Sequence, residues 1–150
     1  MPSPPDVERE LRAAALRVTR PRVAVLSVVH DHPHADTEAG IGLARTRLGA
    51  GSHQAVYDVL KALTRSGLVR RIEPAGSPAR FELRVDDNHH HVVCRCCGAI
   101  ADVDCAAAEQ PCLHASETHG FVIDEAEVTY WGTCPSCSTP ATPTPPNEEL

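Results

Sequence analysis

Residues 52–73 read SHQAVYDVLKALTRSGLVRRIE. Val56, Val59, Leu60 and Leu63 recur at i, i+3, i+4 and i+7, the spacing that lines one face of an amphipathic helix. Ser52 precedes the pattern as an N-cap, since its hydroxyl can accept from a first-turn amide that has no intrahelical partner. Gly67 follows as the stop. Residues 69–73 and 80–84 then read as short strands around the turn Pro74-Ala75-Gly76-Ser77-Pro78. Upstream, Val7, Leu11, Ala14 and Ala15 mark a first helix. Thr19 caps a second, with Pro21 early in it, which runs through residues 23–29 and ends by Pro33. Asp36 or Thr37 caps a third that reaches about Leu48 across Gly40 and Gly42. Helices followed by a two-stranded wing predict a winged helix-turn-helix over residues 1–85.

The second half has a different grammar. Residues 90–94, 100–103 and 121–131 read as strands, with a short helix over 111–119 stopped by Gly120. Residues 86–138 therefore form a small α/β unit with a cysteine pair at each end, and the whole chain is of the α+β class. The boundary falls near residues 86–88. Residues 139–150, TPATPTPPNEEL, have nothing to bury and are expected to be a disordered tail.

Charge divides at the same place. Residues 1–85 carry 13 Lys/Arg against 9 Asp/Glu, and residues 86–150 carry 1 against 11. A basic half suited to polyanions is joined to an acidic half suited to cations. No run approaches the roughly 20 apolar residues needed to span a bilayer. The polar, proline-rich residues 1–6 lack the pattern of a secretory leader, so a reducing, cytoplasmic setting is expected. Only five of the 150 residues are Phe, Tyr or Trp, which leaves a small aliphatic core in need of another stabiliser.

Seven cysteines supply one. An odd count with two Cys-x-x-Cys pairs, Cys94/Cys97 and Cys134/Cys137, points to metal and not to a disulfide framework. Four thiolates with no open position suit a structural Zn²⁺. Cys96, Cys105 and Cys112 stand outside the pairs, the last two as small core residues, and a thiol redox switch among the three is the alternative. The run His89-His90-His91 puts His89 and His91 on one strand face and His90 on the other. Glu82, Asp86, Asp87, Asp102 and Asp104 lie near it in sequence, and His32 and His34 flank Pro33 in a loop of the basic half. Imidazole and carboxylate together suit exchangeable Fe²⁺, Mn²⁺, Zn²⁺ or Co²⁺.

On the helix of residues 52–66, the side opposite the apolar stripe carries Gln54, Tyr57, Asp58, Lys61 and Arg65. Ser52, His53 and Gln54 lie at its N-terminus, the end that a helix-turn-helix inserts into the major groove. Glutamine reads adenine, and Lys61 and Arg65 contact phosphate or guanine. Arg12, Arg17, Arg20, Arg22, Arg70 and Arg71 add flanking positive charge.

Gln-Ala-Val-Tyr-Asp-Val-Leu, Ser66-Gly67-Leu68-Val69, the HHHVVC run, both Cys-x-x-Cys pairs and Tyr130-Trp131-Gly132 occur here in one order. Over about residues 7–138 that combination resembles the ferric uptake regulator (Fur) family, and within it the FurA-type peroxide-responsive repressors associated with catalase-peroxidase genes. The resemblance implies a homodimeric, metal-activated repressor with a C-terminal α/β dimerisation domain, binding an inverted-repeat operator in double-stranded DNA. It puts the structural zinc on Cys94, Cys97, Cys134 and Cys137. It puts a regulatory Fe²⁺ or Mn²⁺ that bridges the domains on His32, Glu82, His89, His91 and Asp102. A second site found in some members falls on His90 and Glu109, with Ala126 where a further histidine stands and Glu125 beside it. Asp58 departs from members that have arginine after the tyrosine.

The expected function is thus a cytoplasmic, metal-dependent repressor of oxidative-stress or iron genes, without enzymatic activity. Peroxide oxidation at His32 or His89 is expected to release it from DNA. The alternatives are a zinc-uptake or general iron-homeostasis repressor and, from another class, a small metalloenzyme using the histidine–carboxylate set.

Overall fold

The computed structural model describes residues 3–83, 89–104 and 114–138. The chain divides into two compact units, Met1–Asp87 and Asn88–Leu150.

In the first unit α1 (Pro4–Ala13), α2 (Arg20–Asp31), α3 (Thr37–Leu48) and α4 (His53–Arg65) precede β1 (Val69–Ile72) and β2 (Arg80–Leu83). Each of the last three helices starts at a side-chain cap. Thr19 accepts from the Arg22 amide at 3.3 Å, Asp36 from Ala39 at 2.8 Å and Ser52 from Ala55 at 3.1 Å. Of the two candidates at the start of α3, Asp36 is the cap, and the Thr37 hydroxyl donates instead to the Ala79 carbonyl. Gly40 and Gly42 sit inside α3 with nothing near the place a Cβ would occupy. α1 ends a turn early: Ala14 is its C-cap and Ala15 turns into the left-handed region at φ 58°, so neither extends the apolar face.

The core of this unit joins Val7 and Leu11 of α1, Val25, Leu26, Val28 and Val29 of α2, Ile41 and Ala44 of α3, and Val56, Leu60 and Leu63 of α4. Val59 is only partly buried at its edge. β1 and β2 pair antiparallel, with Val69 opposite Leu83 and Arg70 opposite Glu82, and Val69 and Phe81 close the core from the wing. An isolated bridge between Asp36 and Arg80 fastens the wing to the start of α3.

The second unit holds β3 (His89–Cys94), β4 (Ile100–Asp104), β5 (Thr129–Gly132) and the one-turn α5 (Pro135–Ser138). The sheet order is β4-β3-β5, with β4 antiparallel and β5 parallel to β3. Two expectations change. Residues 114–119 are not helical, and 111–113 lie outside the described residues. The strand expected over 121–131 is confined to Thr129–Gly132, because a strand needs a partner and β3 pairs it only from His91 to Cys94. Phe121, Val122 and Ile123 remain on the surface. Residues 139–150, expected to be a tail, are likewise outside the described set.

Candidate metal centres and nucleic-acid interface

The parallel pairing of β3 with β5 sets Cys94 opposite Gly132 and so brings the two cysteine pairs together. The Arg95 amide donates to the Gly132 carbonyl at 2.8 Å, and the Cys134 amide to Cys94 Sγ at 3.3 Å. Cys97 Sγ lies 3.7 Å from Cys134 Sγ, and the sulfurs of Cys94, Cys97, Cys134 and Cys137 all fall within 4.8 Å of one another. Sulfurs held tetrahedrally at about 2.3 Å from zinc sit about 3.8 Å apart, so the donors fit that ion in both type and spacing.

Their acidities are set apart by one another and by nearby amides. Amides of Cys97 and Cys134 draw the Cys94 thiol down to about 6. The Ala99 amide also lowers Cys97, but the Cys134 and Cys94 thiols outweigh it and hold Cys97 above the ordinary value. Cys134 and then Cys96 push Cys137 up. One thiolate forms easily and its neighbours resist; a divalent cation at the centre removes that resistance. Cys96 itself is exposed, while Cys105 and Cys112 lie outside the described residues.

The imidazoles and carboxylates are distributed over both units. In the first, His34 Nε2 stands 3.0 Å from Glu82 Oε2, and Glu82 is buried at 4% exposure. The loop after α2 delivers His34 there by an unusual backbone: φ is 66°, the His34 amide donates to the Phe81 carbonyl at 3.2 Å, and Arg80 Nη1 donates to the His34 carbonyl at 2.9 Å. His32 does not take part. It is the exposed C-cap of α2, its amide spent on the Val28 carbonyl at 2.8 Å. The histidine beside Glu82 is therefore His34, two residues beyond the expected one.

In the second unit His89 and His91 share a face of β3, their rings edge to face with centroids 5.0 Å apart. Asp102, register partner of His91, places Oδ1 3.4 Å from His91 Nε2 and 3.8 Å from His89 Nε2. His90 faces the other way and is 2% exposed. Its Nδ1 accepts from the Val128 amide at 3.1 Å, and its buried Nε2 has no hydrogen-bond partner among the described residues. A neutral imidazole that accepts at Nδ1 carries its proton on Nε2, so His90 in this arrangement has no lone pair to give a metal. Glu125 is exposed, and Glu109 lies outside the described residues.

α4 presents the groups expected to meet nucleic acid. Ser52 is engaged as the cap, and His53 Nε2 pairs with Glu38 Oε1 at 3.0 Å. Gln54 Nε2 donates to Asp58 Oδ1 at 2.9 Å. Lys61 Nζ lies 5.7 Å from the centre of the Tyr57 ring. Tyr57, Lys61, Thr64, Arg65, Arg71 and Phe81 line a concavity of about 180 Å³. Arg71 thus joins Lys61 and Arg65 in one basic hollow, a grouping that spacing along α4 alone does not reveal. Arg17 is exposed, and its carbonyl accepts from Arg22 Nη1 at 2.9 Å.

Residues 13–131 match the Ferric uptake regulator family. Over 138 residues the chain is 65% identical to the transcriptional regulator FurA of Mycobacterium tuberculosis (strain ATCC 25618 / H37Rv), covering 92% of this chain and 94% of that one. Among solved structures, the Vibrio cholerae ferric uptake regulator superposes with a TM-score of 0.67 at 26% identity, covering 85% of this chain and 98% of that one. The ferric uptake regulator of Pseudomonas aeruginosa with manganese gives a TM-score of 0.61 at 26% identity, with coverages of 86% and 98%.

Proposed function

The chain is a member of the ferric uptake regulator family, and from that premise we propose a repressor whose grip on DNA is switched by an ion drawing ligands from both units. Its relatives are transcriptional regulators, and the metalloenzyme alternative falls with that. The observation that carries the reading is the split donor set: His34 and Glu82 on the unit that bears the basic helix, His89, His91 and Asp102 on the unit closed by thiolates. An ion bound by both groups favours one arrangement of the units, so metal affinity and DNA affinity are coupled through that arrangement.

Neutral imidazoles with carboxylate oxygens suit Fe²⁺ or Mn²⁺, and Cys94, Cys97, Cys134 and Cys137 suit a permanent structural Zn²⁺. When bound in the mixed set, Fe²⁺ supplies a one-electron reductant for peroxide next to the imidazoles of His34 and His89, chemistry that zinc lacks. His34 thereby takes the place first expected of His32. A homodimer is supported by apolar surface on the second unit, where Phe121 is 75% and Val122 98% exposed, and a two-fold dimer calls for an inverted-repeat operator. As a regulator of DNA the protein acts in the cytoplasm, where bacterial DNA lies. No helix among the described residues is long and apolar enough to cross a membrane.

The test is a titration of duplex binding with Fe²⁺, Mn²⁺ and Zn²⁺ before and after low peroxide. Metal should be required, and peroxide should release DNA from the iron form while sparing the manganese form. Mass spectrometry should find an added oxygen on His34 or His89 only when iron is present. Release reversed by a thiol reductant, with every histidine unmodified, would transfer the sensing role to the cysteines.

A second expectation concerns the basic hollow. Affinity should fall steeply with salt, and Lys61→Ala should reduce the slope of log K against log salt by about 1, the signature of one lost phosphate contact. An unchanged slope would take Lys61 off the backbone.

A further inference from the structure

We propose that Asp58 sets the base preference of Gln54, holding its side-chain amide in the one orientation that reads adenine. This rests on α4 being the element that enters the groove.

Of the three residues at the start of α4, Ser52 is committed to the cap and His53 to Glu38, which leaves Gln54 as the exposed polar side chain that offers a base-reading edge. Gln54 and Asp58 are four residues apart, one turn, and share the exposed face. Their hydrogen bond spans 2.9 Å from Nε2 to Oδ1.

The direction of that bond follows from chemistry. An ionised carboxylate only accepts, so the nitrogen of the glutamine amide, and not its oxygen, must face Asp58. A lone glutamine can rotate its amide by half a turn and exchange donor for acceptor at little cost. With Asp58 in place the exchanged orientation sets oxygen against oxygen and is disfavoured. What remains outward is Oε1 with the amide hydrogen on its own side. That pair matches the N6 amino group and N7 of adenine, while the hydrogen on the far side is the one an intrahelical acceptor can take without disturbing it.

Asp58 also acts by exclusion. Guanine presents N7 and O6 to the major groove, both acceptors, and the flanking phosphates are anionic. A carboxylate facing them is repelled, so it tolerates only an edge with an amino group, that of cytosine or adenine. Arginine at this position prefers the opposite, guanine or phosphate, and the change from arginine to aspartate exchanges affinity for selectivity. Lys61 and Arg65, one and two turns further along α4, lie with Arg71 in the hollow that supplies positive charge.

The full-length, Mn²⁺-loaded protein is used to select duplexes from a random-sequence pool. The winning duplex then competes with its single-base replacements for the wild type, Gln54→Ala, Asp58→Ala, Asp58→Asn, Gln54→Ala/Asp58→Ala and Lys61→Ala. The expected result is one adenine per half-site preferred by at least about fivefold. Gln54→Ala should lose that preference and Asp58→Ala should reduce it at least about threefold. Asp58→Asn should keep most of it, because its amide oxygen still accepts from Gln54. In the Gln54→Ala background, Asp58→Ala should have no further effect at that base. The proposal is overturned if Asp58→Ala keeps the preference that Gln54→Ala loses, if the two effects add, or if no adenine is preferred while Lys61→Ala still weakens binding. If none of the substitutions alters binding to the selected duplex, α4 is not the reading element and both ideas fall together.

Discussion

Cys97→Ser is expected to lose tightly held zinc and, with it, the fold of the second unit. The reason lies in how little else that unit buries among its described residues. The hydrophobic cluster belongs entirely to the first unit, and in the second only Val93 and Cys94 are buried apolar residues among those described. Two such side chains contribute a few kcal/mol against an ordering cost of about 1–2 kcal/mol for every residue fixed. Structural zinc sites release about 10–16 kcal/mol on binding, enough to decide whether a unit of this size folds. Trp131, the chain's only tryptophan, gives a local readout, since it lies on β5 with Arg95 Cζ 5.2 Å from its ring centre. In Cys97→Ser its emission should move to that of the denatured chain. The helical circular dichroism of α1 to α4 should persist, because their core contains no residue of the zinc site. Cys96→Ser, at an exposed thiol outside the group of four, should keep both zinc and native emission. A zinc-free Cys97→Ser protein with native Trp131 emission would remove the structural role.

The same contrast explains which parts could be read from residues alone. α4 declared itself because its stripe of Val56, Leu60 and Leu63 and its serine cap are local signals, and local signals decide a helix. The winged helix and the thiolate pairs were legible for the same reason: a turn of fixed length follows the helix, and two residues between cysteines suffice to aim both sulfurs inward. β5 was not. Residues 121–131 hold enough β-branched and aromatic residues to suggest a long strand, but pairing with β3 is non-local and uses only Thr129–Gly132. α1 was overextended because the left-handed turn at Ala15 carries no glycine to announce it.

In the mixed donor set the histidine beside Glu82 is His34 and not the expected His32, again for a backbone reason. His32 and His34 are chemically equal and straddle Pro33, so composition cannot choose between them. The choice is made by a non-glycine residue at φ 66°, a conformation that the hydrogen bonds to Phe81 and Arg80 hold in place. Such positions cost energy unless the surroundings impose them, and they gather where function needs a side chain aimed. The loop and β2 together impose it here.

That geometry yields the last expectation: His34→Gly should abolish metal-activated DNA binding, and His32→Ala should leave it within about twofold. Glycine is the informative replacement at residue 34, since it removes the imidazole and accepts the left-handed backbone without strain. Alanine there would add a penalty of its own and confuse a lost ligand with a disturbed loop. Losing only an outer-shell partner commonly weakens metal binding 10–100-fold, so losing a ligand should cost at least that much. The readout is duplex binding against Mn²⁺ concentration, because manganese separates affinity from the peroxide chemistry of iron. Thermal melts of the metal-free proteins serve as the control, and wild type and His34→Gly should melt within a few degrees of each other. Glu82→Gln should resemble His34→Gly, since a neutral amide is a poorer ligand than the carboxylate. Asp102→Asn, from the other unit, should weaken Mn²⁺ activation in the same direction. If His32→Ala abolished activation while His34→Gly retained it, the ligand would be the exposed cap of α2, and the pairing of His34 with Glu82 would be a structural hydrogen bond of the wing.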